Sequence, residues 1–73
     1  MKEKYQICIS SPPDREKLVA EIFFGNVQWA EINQEHELLQ IEFYPQPDGN
    51  PWQIDFCSAI TALNEAKLRL VGK

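Results

Sequence analysis

One histidine, two cysteines and an Asp-Gly-Asn turn are the groups in this 73-residue chain that could carry chemistry. His36 stands between Glu35 and Glu37, and a carboxylate beside an imidazole can orient it as a general base. Sequence neighbours on a polar turn point in divergent directions, however, and no nucleophile has a matching spacing, so His36 reads as a solvated turn residue. Cys8, Cys57 and His36 show neither CxxC nor HxxxH spacing, which argues against a zinc site. Cys57 lies near an expected helix start, where the dipole can lower a thiol pKa. Beside Phe56 it reads instead as a packing residue, as does Cys8. Pro47-Asp48-Gly49-Asn50 opens like a calcium loop but lacks the further ligands and the closing glutamate, so a plain turn is expected. The three glycines form no phosphate-cradling motif. No catalytic residue, metal ligand set or cofactor is therefore expected, and an enzyme reading would have to rest on Cys57 or His36 alone.

Composition narrows the classes further. Lys and Arg total 7 against 11 Asp and Glu, a net charge of -4. A general nucleic-acid binder needs a basic face to displace counterions from phosphate, so none is expected here. With 44% hydrophobic and 25% charged residues the chain reads as one small globular domain over residues 1–73, and disorder and coiled coil are excluded. The run Met1-Lys2-Glu3-Lys4-Tyr5 lacks the apolar centre of a signal peptide, and no stretch approaches the roughly 20 apolar residues that span a bilayer. A cytoplasmic protein without membrane contact is the expectation.

The elements that must position any site follow from periodicity. Tyr5, Ile7 and Ile9 alternate with polar neighbours, which predicts a first strand ended by Pro12-Pro13. Lys17 to Phe24 carries Val19, Ile22, Phe23 and Phe24 and reads as the second strand. Gly25-Asn26 predicts a tight hairpin into a third strand over Val27 to Asn33. Residues 34–37 form a polar turn, and Leu38 to Tyr44 alternates as the fourth strand. Pro45 to Pro51 is a loop. Beyond it Phe56, Ile60, Leu63 and Leu70 recur at helical steps, with Asp55 as N-cap and Gly72 as C-cap. The expected fold is α+β: a four-stranded antiparallel meander with one C-terminal helix on one face, in two layers.

Parity assigns the faces. Ala30, Ile32, Leu39, Ile41 and Phe43 fall on the side expected under the helix stripe of Phe56, Ile60, Leu63 and Leu70. Trp29, Glu31, Gln40, Glu42 and Tyr44 fall on the opposite, uncovered side. A two-residue turn at Gly25 would send Leu18, Ala20 and Ile22 outward. A three-residue loop would send them to the helix side and put Val19 and Glu21 outside, which separates apolar from polar residues better. Large aromatic residues on an uncovered sheet face mark contact surfaces, so Glu21, Trp29, Glu31, Gln40, Glu42 and Tyr44 are the candidate partner-binding residues, with Trp29 and Tyr44 as anchors. A homodimer pairing through this face is the alternative.

The segments Ala20-Glu21-Ile22, Trp29 to Asn33, Leu39 to Pro45, Pro47-Asp48-Gly49, Pro51-Trp52 and the Leu63-x-x-Ala66 spacing resemble small bacterial immunity proteins of polymorphic toxin loci. The resemblance spans residues 20–70 and leaves the first strand outside it. It implies an inhibitor that binds and blocks a cognate toxin domain. A basic toxin would be attracted to an acidic partner, in which Glu21, Glu31 and Glu42 would steer the encounter.

Overall fold

A computed structural model describes residues 4–72. Four strands, β1 (Tyr5–Ser10), β2 (Val19–Phe24), β3 (Val27–Asn33) and β4 (Gln40–Phe43), form one antiparallel sheet in the order 1-2-3-4. The helix α1 (Phe56–Val71) packs on one face, giving the expected two-layer α+β arrangement. Its ends are capped as the sequence requires. The Asp55 carboxylate accepts from the Ser58 amide at 3.0 Å, and Gly72, at φ +76°, donates its amide to the Leu68 carbonyl at 2.8 Å.

The β2–β3 hairpin decides which residues become interior. Gly25 has φ +64° and Asn26 a negative φ, the sign pattern of a type II′ turn, with Phe24 opposite Val27. The expected three-residue loop is absent. The change of parity comes instead from a bulge: Phe23 pairs with Gln28 but Ile22 pairs with Ala30, so Trp29 is the extra residue. Before the bulge the turn puts Phe24 on the helix side. After it Ala30 and Ile32 lie opposite Ile22 and Ala20 on that same side. Ala20 and Ile22 thus face the helix as expected, by a different device.

The bulge also corrects the expectation for Trp29. Its indole is interior, only 8% exposed, packed edge-on against Phe24 at 5.2 Å between ring centroids and tilted against Phe43 at 5.4 Å. Tyr5 and Trp52 add to the aromatic group around Phe24. Trp52 is pinned by its indole N–H donating to the Tyr44 carbonyl at 2.7 Å. That bond ties the proline-rich segment back to the end of β4.

A second correction concerns the helix. The face that reaches the sheet is small: Ser58, Ala62 and Ala66 are buried, with Ala59, Leu63 and Leu70 beside them. The helix lies over β1 and β2. Phe56 and Ile60, expected on the buried stripe, are exposed, and so are Ile41 and Phe43 on β4 and Leu39 just before it. Alanine explains the offset, since it allows close backbone approach where β2 presents Ala20 and Ile22, whereas phenylalanine at that seam would hold the helix away. The cysteines differ from expectation too. Cys8 and Cys57 are free and exposed rather than packed.

Candidate functional site

The face of the sheet away from the helix is built by register. Glu21 pairs with Glu31, and Glu31 pairs with Glu42, so three carboxylates form one row across β2, β3 and β4. Like charges directly opposite one another on a sheet are destabilising. The middle one is buried as well, with Glu31 only 5% exposed. Such a row persists only where something compensates it.

The compensation comes from the loop between β1 and β2. Arg15 lays its guanidinium over the row. Its Nε donates to Glu31 Oε2 at 3.0 Å, and its Nη2 lies 2.9 Å from that oxygen and 2.8 Å from Glu42 Oε1. A planar fork can serve two carboxylates at once in a way an ammonium cannot. The Tyr44 hydroxyl completes the cluster, at 3.4 Å from Glu31 Oε1 and 3.3 Å from Glu42 Oε1. Partial burial, together with the two neighbouring carboxylates, pushes the phenol up to about 12.

Glu35 holds this loop in place. Its two carboxylate oxygens accept from the amides of Glu16 at 3.2 Å and Lys17 at 3.0 Å. Those two bonds hold its carboxyl below the ordinary range. Gln34 adds a bond from its amide nitrogen to the Leu18 carbonyl at 3.1 Å. The polar turn at 34–37 is therefore a clasp for the segment that carries Arg15. His36 in that turn is exposed, as expected.

Of the candidate residues, Glu31, Glu42 and Tyr44 meet around Arg15, and Glu21 stands next in the row. Gln40 is exposed and pairs with Asn33 at the end of the ladder. Trp29 is on the other side of the sheet. Tyr44 is half-buried with its hydroxyl engaged, so it is part of the cluster rather than a free anchor. Arg15 and Glu35 were not among the candidates. The signal for Arg15 was electrostatic: three glutamates in cross-strand spacing call for a cation, and the stiff Pro12-Pro13 segment before Arg15 is a means of delivering one.

Chemically the row is an acceptor array for cations, with Glu42 half exposed although its Oε1 is shared with Arg15 and Tyr44, and Glu21 partly exposed. Among the described residues no group of three or more His, Cys, Asp or Glu is arranged to hold a metal ion. No described helix is long and apolar enough to cross a membrane. The Asp48 turn closes on itself, with Asp48 Oδ1 accepting from the Asn50 amide at 3.0 Å.

The raised Tyr44 pKa sets an alkaline limit. A phenol that ionises near 10 when unfolded and near 12 when folded contributes stability that is complete below pH 10 and lost as the pH rises to 12. Urea midpoints measured across that window should fall for the wild type. They should fall less steeply for Tyr44→Phe.

No family model matches the chain, and neither a curated protein nor a solved structure does.

Proposed function

We propose that the chain is a non-catalytic protein-binding domain, an immunity-type inhibitor that blocks a basic bacterial toxin domain in the cytoplasm with the open face of its sheet. The observation that carries this reading is the row Glu21–Glu31–Glu42, three carboxylates aligned on the face away from the helix with a single arginine over two of them. A structural domain gains nothing from such an alignment, whereas a surface that must meet cations gains steering and specificity. The net charge of -4 and the resemblance over residues 20–70 point the same way. With Trp29 interior, the contact set is Glu21, Gln40 and Glu42 with the edge of Tyr44, and the binding is electrostatic rather than aromatic in character. A homodimer pairing sheet to sheet through this face would set two carboxylate rows against each other.

The test is association kinetics with basic toxin domains, beginning with any that the neighbouring genes encode. The double variant Glu21→Gln/Glu42→Gln should lower the association rate by about tenfold at low salt, with the difference shrinking as salt rises. An association rate that neither substitution nor salt alters removes the open face from the reading.

A further inference from the structure

On the helix side of the sheet β4 is left exposed, and a groove runs between it and α1. Leu39 before β4, Ile41 and Phe43 on it, and Phe56, Ile60 and Leu68 on α1 keep between 37% and 77% of their surface exposed. A groove of about 390 Å³ runs between the two elements, lined by Ile32, Leu39, Ile41, Ile60, Leu63 and Lys67 among others. Patches of this kind mark interaction sites.

The helix shows what should fill it. The only charged residues in α1 are Glu65, Lys67 and Arg69. Glu65 and Arg69 pair with each other at 2.7 Å and reach β1, Glu65 accepting from the Tyr5 hydroxyl at 2.7 Å and Arg69 donating to the Ile7 carbonyl at 3.4 Å. Charge is thus gathered on the β1 side. The flank toward β4 carries Phe56 and Ile60 with Lys67 as its one charge, and the outward stripe Cys57, Thr61, Asn64 and Leu68 carries none. A helix with so little polar surface is one that is buried on more than one side.

We propose that a second copy of this chain occupies the groove, each α1 lying against the exposed β4 of the other copy. Ala30 and Ile32 of β3 are already buried within one copy, so the vacant strip is β4 with the groove between it and α1. A two-fold axis along the strands places the two helices side by side between two sheets, an isologous contact that closes on itself. The flank of Phe56 and Ile60 then lies along the same flank of the other helix, and the outward stripe with Leu68 meets Ile41 and Phe43 of the other sheet. Taking about 200 Å² for a fully exposed large side chain, the six exposed residues supply roughly 600 Å² per copy. Cys57, Thr61 and Asn64 bring this toward the ~800 Å² per partner of a stable interface. Both carboxylate rows remain on the outer surfaces, so this assembly stands or falls independently of the toxin-binding reading.

Sedimentation equilibrium of the full chain tests the proposal. A dimer at micromolar concentration is expected. Phe56→Glu and Ile41→Lys should each raise the dissociation constant by about a hundredfold or more, with far-UV circular dichroism unchanged because both side chains are exposed in a single copy. Lys67→Leu, which removes the lone charge of the flank, should tighten the dimer. A wild type that stays monomeric at millimolar concentration overturns the proposal. So does a dimer that survives both charged substitutions, or one that Glu21→Gln/Glu42→Gln disrupts in their place.

Discussion

Trp29→Ala is expected to cost about 3–5 kcal/mol of folding stability, the range for truncating a large aromatic side chain in a packed interior. The indole is the largest side chain in the buried cluster and touches Phe24 and Phe43, so its removal opens a void between the bulge and the β2–β3 turn. For a domain of 73 residues the whole stability is about 4–11 kcal/mol, so the variant gives up a large share of it. Urea unfolding followed by circular dichroism measures this, with Trp29→Phe as a milder comparison that keeps the ring contacts. The contrary pattern, a loss under 1 kcal/mol with impaired partner binding, would return Trp29 to the surface.

The same residue shows where sequence legibility ends. Strand identities, the helix, both its caps and the two-layer architecture follow from periodicity, turn chemistry and capping, all of which act over a few neighbouring residues. Parity along β3 also correctly separates Glu31 from Ala30 and Ile32. It fails at Trp29 because a bulge adds one residue without any local composition signal; no glycine or proline marks it. Alternation assumes an unbroken ladder, and one inserted residue changes the face of everything on one side of it. The helix offset was hidden for a different reason. Ser58, Ala62 and Ala66 contribute little hydrophobicity, so periodicity alone pointed to Phe56 and Ile60, while close approach to the sheet selects small side chains. Three glutamates in cross-strand spacing signal the need for a cation, but periodicity does not say which one, because Arg15 and Glu31, 16 positions apart, meet through the clasp at Glu35.

Arg15→Ala is expected to lower the urea midpoint clearly, out of proportion to a surface loop substitution. Exposed ion pairs contribute little, and the pair with Glu42 belongs to that class. The pair with Glu31 does not, because the Glu31 side chain is 6% exposed and stands between two other carboxylates. Removing the cation leaves a buried charge among like charges, and the cost is that of the orphaned group rather than of the lost contact. The signature is rescue. In an Arg15→Ala background Glu31→Gln should recover most of the loss, since an amide in the same volume needs no cation and relieves the repulsion along the row. Glu31→Gln alone should be nearly neutral. Arg15→Lys should recover less than half, because one ammonium cannot repeat the fork that reaches both carboxylates. A double-mutant cycle by urea unfolding gives the coupling directly, and additive losses would mean that Arg15 acts through loop packing. The same variant should behave oppositely in binding. A basic partner that engages Glu42 must displace the guanidinium already there, so the less stable Arg15→Ala protein should associate faster. Stability lost and association gained in a single substitution is what a self-neutralised recognition face requires, and a merely structural ion pair offers no reason for it.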